Sequence, residues 1–210
     1  MTFIVYYFIL TACIVVSEKV YESKNYNNTM LNYIQLIDSS NTIKQLDALS
    51  KGFETIAEKE ENDWLPYYYA GYVDVRKSML EKDKTYKDTY LNQADKFISI
   101  ADSLEPGNSE IITLKALSTA IRISIDPEKR LSKYDEKFNQ NIELALIKNP
   151  KNPRPELLKG QMIYYYHSQE LYSAKTLLEA SLKKYNEFEL EDDLYPNWGK
   201  DQLELLLMKI

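Results

Sequence analysis

The chain has 210 residues, is 44% hydrophobic and 28% charged, and carries a net charge of −6. That balance is ordinary for a folded protein of one or two domains, and without a basic stripe it argues against nucleic acid as a partner. One cysteine and one histidine leave no disulfide, no thiolate metal site and no multi-histidine metal centre.

Phe3 to Val16 is apolar apart from Thr11. It is shorter than the ~20 residues that span a bilayer and fits the apolar core of a secretory signal peptide. Val15-Val16-Ser17 offers a cleavage site before Glu18. Leu10-Thr11-Ala12-Cys13 also resembles a bacterial lipobox, which would lipidate Cys13 and tie the protein to a membrane, but Ile14-Val15-Val16 carries the apolar run past it. Met1-Thr2 lacks the usual basic start, and a buried N-terminal helix or strand is the competing reading. The expected organisation is a signal over 1–17 and one helical domain over 18–210.

The rest of the chain reads as helices. Met30, Leu31, Ile34 and Ile37 recur on one face between Asn25 and Ile37. Asn41-Thr42 caps a second helix running to about Glu61. Asp63 precedes a third, with Pro66 in its first turn, where proline is tolerated. Lys82-Asp83-Lys84 turns into a fourth, stopped at Glu105-Pro106-Gly107. Asn108-Ser109 opens the fifth, Asp126-Pro127 the sixth, which ends at Asn149-Pro150. Pro153 and Pro155 feed a seventh to about Gln169. The eighth covers Tyr172 to Tyr185, and Glu187 to Asp193 is acidic without a period. Pro196 to Ile210 reads as a last helix with Leu203, Leu206 and Leu207 on one face. No run alternates with the period of a strand.

A pattern recurs through these helices: Leu49/Phe53/Ile56/Glu61, Ala94/Ile98/Ala101/Pro106, Phe138/Ile142/Ala145/Pro150 and Ala174/Leu178/Ser181/Asn186. A small residue follows the first three stops at one fixed distance: Gly71, Ala116 and Gly160. A repeat with fixed register means stacked helical hairpins, each unable to bury its apolar face alone. These positions resemble the tetratricopeptide repeat, with repeats here longer than that family's and Phe138 and Leu49 large where it prefers alanine. The resemblance implies an all-α, right-handed stack of about four hairpins plus a C-terminal capping helix. Three stretches narrow it. Glu61 to Tyr68, Lys148 to Arg154 and Tyr195 to Gln202 come in the order seen in small exported helical-repeat proteins of Bacteroidetes bacteria, a family with no chemistry to carry over.

Chemical motifs are missing. There is no Gly-x-Ser-x-Gly, no His-Glu-x-x-His and no phosphate loop. The acidic clusters around Glu60 and Glu191 read as solvated faces, and His167 as a surface or helix-end residue. No catalytic residue, metal ligand or cofactor is expected. The unusual feature is aromatic: 18 tyrosines, with runs at 67–69 and 164–166. If the resemblance holds, the inner groove is lined by Leu65, Tyr68, Tyr72, Val75 and Arg76, then by Glu110, Thr113, Leu117, Ala120 and Ile121, then by Arg154, Leu157, Gln161, Tyr164 and Tyr165. The expected partner-binding residues are Tyr68, Tyr72, Arg76, Arg154, Tyr164 and Tyr165. Tyrosine and arginine are over-represented at protein contacts, so the expected function is a non-enzymatic interaction module or scaffold of the cell envelope, exported to the periplasm or outer membrane. The same rings would also stack on sugars, which makes a glycan binder the alternative. Ordinary inter-helix packing is the plain reading for any single tyrosine.

Overall fold

The computed structural model of the chain describes residues 25–190 and 192–210. The expected signal over 1–17, with Cys13, lies outside them. The described chain is helical almost throughout: α1 (residues 25–39), α2 (Ile43–Ala57), α3 (Trp64–Leu80), α4 (Lys84–Leu104), α5 (Ser109–Ser124), α6 (Pro127–Lys148), α7 (Arg154–Tyr166), α8 (Leu171–Glu187) and α9 (Lys200–Leu207), with a short 3-10 turn at Ser168–Glu170. Among the described residues there is no strand, and no helix is long and apolar enough to cross a membrane.

The starts of these helices are written locally. Thr42 and Gln45 form a reciprocal capping box on α2. Asp63 accepts from the Leu65 amide at 2.9 Å, Asp83 from Thr85 at 2.8 Å and Asn108 from Glu110 at 2.8 Å, each satisfying an otherwise orphaned helix-start donor. Pro127 and Pro155 occupy first turns, where their missing N–H costs nothing.

Successive helices pack as hairpins, α3 on α4, α5 on α6 and α7 on α8, with α2 against α3. The first helices of neighbouring hairpins touch, α3 against α5 and α5 against α7, and the second helices stand behind them. The repeated register sets this contact. A Cβ placed on Gly71 would lie 2.9 Å from Ile98 Cγ1 and 3.3 Å from the Ala94 carbonyl oxygen. On Gly160 it would lie 2.7 Å from Leu178 Cγ and 3.3 Å from the Ala174 oxygen. The glycine of α3 therefore receives Ile98 of α4, and the glycine of α7 receives Leu178 of α8. Ala94, Ala101, Ala145, Ala174 and Ser181 are all buried, and such small positions let helices approach at the short end of the usual range. One core joins α1 to α7 through Met30, Phe53, Tyr68, Ile98, Ile111 and Phe138, and a smaller one holds α8 and α9 through Leu157, Leu178, Leu203 and Leu206. Each fully buried Leu, Ile or Phe adds roughly 1.5–3 kcal/mol.

One element differs from expectation. The last helix begins at Lys200, not Pro196. Residues 194–199 are held out of helix by tertiary contacts, and Gly199 ends them with a φ of 109°, a left-handed conformation that glycine alone adopts readily.

Candidate functional site

Arg154, the first residue of α7, is fully buried, which a guanidinium tolerates only with its donors satisfied and its charge paired. Its Nη1 donates to Glu110 Oε1 at 2.8 Å, its Nε to the Trp198 carbonyl at 3.1 Å, and its Nη2 to the Pro196 carbonyl. Its guanidinium carbon lies 5.4, 5.5 and 5.8 Å from the rings of Phe188, Trp198 and Tyr185. Trp198 is fixed from the other side. Its Nε1 donates to the Tyr68 hydroxyl at 2.8 Å, and its ring stacks on Tyr72 with centroids 5.4 Å apart. Tyr69 donates to the Leu194 carbonyl at 2.8 Å, Tyr185 to that of Trp198 at 2.9 Å, and Trp64 meets Tyr195 edge-on. Residues 194–199 thus form a strap tied across the N-terminal ends of α3, α5 and α7. The three stretches that carried the narrower resemblance meet here.

The strap changes the standing of the expected groove. Tyr68, Tyr72 and Arg154 converge as expected, but they are buried under the chain's own C-terminal segment and present no surface to a partner. The expectation of an open groove at these positions is corrected, because Trp198 and the carbonyls of Pro196 and Trp198 fill it. Arg76 turns aside to Asp38 of α1 at 3.5 Å. Tyr164 packs, half-buried, against the α8–α9 core.

Burial sets the electrostatics of the closed half. Burial pushes the Glu110 carboxyl up to about 7, against the pull of Arg154. Burial, with a smaller push from Glu110, holds the Tyr68 hydroxyl well above the usual phenol range, and burial also raises Tyr72. These tyrosines are neutral hydrogen-bonding groups.

The other half of the groove is open. Toward the C-terminal ends of α3, α5 and α7 lies a cavity of about 510 Å³, within the usual ~300–1,000 Å³ of small-molecule sites. Met79 of α3 borders it, with Leu117, Ala120, Ile121 and Ser124 of α5, and Leu158, Gln161, Met162, Tyr165 and Tyr166 of α7. The fourth side is α9, through Gln202, Leu205 and Leu206, with Lys209 just beyond it. Leu117, Ala120, Ile121, Gln161 and Tyr165 are groove positions expected from the register. Met79, Leu158, Met162, Tyr166 and the α9 residues are not. The heptad-like Leu203/Leu206/Leu207 pattern signals that α9 docks, but nothing local says where. Tyr165 is 64% exposed and forms the lip, with Tyr166 half-buried behind it. Burial, reinforced by Tyr165, raises the Tyr166 hydroxyl's pKa. No carboxylate, histidine or cysteine lines the cavity, and among the described residues no three such side chains group as a metal site.

Fold and geometry together define an all-α protein of stacked helical hairpins with an apolar, tyrosine-lipped cavity among the described residues. No family model matches the sequence, and no curated protein matches it. Among solved structures the chain is similar to the HusA haemophore from Porphyromonas gingivalis: 27% identity, a TM-score of 0.78, and coverage of 88% of this chain and 92% of that one. That neighbour comes from the bacterial group to which the narrower resemblance pointed. The tetratricopeptide likeness is one of architecture.

Proposed function

We propose that this chain is a non-enzymatic carrier that holds haem, or a closely similar flat tetrapyrrole, in the cavity between α5, α7 and α9. The carrying observation is the similarity to a haemophore over nearly the full length of both chains. The cavity's chemistry supports it. Its walls are largely aliphatic, Tyr165 and Tyr166 offer ring faces, and its polar groups are few. A glycan would ask for a denser set of hydrogen-bonding groups, and a peptide in the expected groove would have to displace the strap. Met79, Met162 and the two tyrosines are of types that ligate haem iron. Burial favours the protonated form of Tyr166 and so works against its serving as a phenolate donor. The lining holds no carboxylate or imidazole to act as general base, which supports binding over catalysis. An exported protein of the cell envelope, handing its ligand to a protein partner, fits both this reading and the apolar N-terminal run.

The test is a haem titration followed at the Soret band. Saturable one-to-one binding is expected. Leu205 is 60% exposed and Tyr165 64%, so Leu205→Glu and Tyr165→Ala should fold normally, and each should weaken binding by about tenfold or more. A chain that shows no saturable binding, or variants that bind like the parent, would sink the reading.

A further inference from the structure

The cavity is lopsided in charge. Its lining contains a single ionised side chain, Lys209, next to the exposed amide of Gln202. Lys209 lies beyond the end of α9, past Leu205 and Leu206, and is exposed, while Leu117, Leu158 and Met162, which line the same cavity, are buried. Among the described residues it makes no ion pair and no side-chain hydrogen bond, whereas Lys77, Lys115 and Lys184 are each held by a carboxylate within 3 Å. An unpaired ammonium beside an apolar cavity has no structural partner to serve, and it is placed to meet an anion arriving with an apolar ligand.

From this we infer that Lys209 is a specificity-determining residue: it recognises a carboxylate on one edge of the ligand and orients that ligand with its apolar edge inward. The inference rests on the haem reading and sharpens it. The ligand class becomes a flat apolar ring system with acidic groups at one edge, and α9 supplies both an apolar wall and the cation. Nothing opposite Lys209 would repel the carboxylate, since the lining carries no acid. Gln202 and Gln161 add neutral donors at the same cavity.

The experiment compares haem with haem dimethyl ester, whose two carboxylates are capped while ring and iron are unchanged. The parent should bind haem roughly three- to tenfold more tightly than the ester, the range of a charge-assisted contact at a partly solvated rim. Lys209→Ala should lose that preference by weakening haem alone, and Lys209→Arg should keep it. Equal loss of both ligands in Lys209→Ala would reduce Lys209 to an apolar stem and overturn the assignment. So would a full acid preference persisting without the ammonium. A parent that binds acid and ester alike overturns the Lys209 role and leaves the haem reading standing. A parent that binds neither overturns both.

Discussion

Glu110 is a carboxyl the chain holds against its preference. It is buried, its Oε1 takes a hydrogen bond from Arg154, and its Oε2 has no hydrogen-bond partner, so a proton can add at Oε2 without breaking the Arg154 contact. Its pKa stands at about 7 against an ordinary 4.5. Between those values the folded chain binds the proton that the unfolded chain has released. The group's contribution to stability is therefore largest below about pH 4.5 and declines as pH rises toward 7. Urea melts across pH 5 to 8 should show this slope, and Glu110→Gln should flatten it. An unchanged slope in the variant would place the titration elsewhere. The cationic partner of Glu110 is less forgiving. Arg154→Ala leaves Glu110 buried without its cation, and breaking such a pair costs about 3–5 kcal/mol.

At the scale of the helix, the repeat is a rule about one missing methyl. A Cβ on Gly160 would come closer to Leu178 than real Cβ atoms do and would sit tight against the Ala174 carbonyl. Gly160→Val should destabilise by about 1–3 kcal/mol through overpacking, despite removing a helix-interior glycine. A chemical melt measures it, and a neutral or stabilising result would show that α7 and α8 can separate freely. This packing was legible in the sequence: Gly71, Ala116 and Gly160 stand at one offset from the stops, and Ala94/Ile98/Ala101 marks the face they meet. Leu117, Ala120, Ile121, Gln161 and Tyr165, which border the open cavity, came from the tetratricopeptide resemblance and not from any local pattern. The strap was not legible. Tyr195 to Gly199 has no period, and what holds it extended is Arg154, Tyr68 and Tyr185, remote residues whose bonds to it no local pattern encodes. For the same reason Tyr68, Tyr72 and Arg154 read as a binding surface: burial by a distant segment leaves no mark on the helix being buried.

Across the whole molecule, the proposed site makes α9 the wall that would join ligand binding to stability. It is short, packs mainly on α8 and hangs from the strap through Gly199, where a Cβ would strike the Tyr185 hydroxyl and Leu157. A ligand that bridges α5, α7 and α9 binds the folded chain alone, so at a hundredfold excess over Kd it should add about 2.7 kcal/mol. For a chain of this size that corresponds to several degrees in Tm. Haem should therefore raise Tm in the parent and slow amide exchange in α9. At the same haem concentration a Leu205→Glu chain that binds about tenfold more weakly should show roughly half the shift in Tm and correspondingly less protection. Haem-induced protection confined to α1 and α2 would put the ligand at another place.

The strap also sets an order of events. Tyr69 and Tyr68 meet Leu194 and Trp198 across sequence separations of 125 and 130 residues. Contacts that distant form late, and domains fold N-terminal first as the chain is made. Until its last residues emerge, a nascent chain has its early hairpins assembled around an uncovered band of tyrosines and an arginine whose covering carbonyls have not yet been synthesised. Residues 194–199 are thus a late folding partner of the hairpins that precede them, and a ribosome that stops short of Trp198 releases a product whose Tyr68, Tyr72 and Arg154 are uncovered.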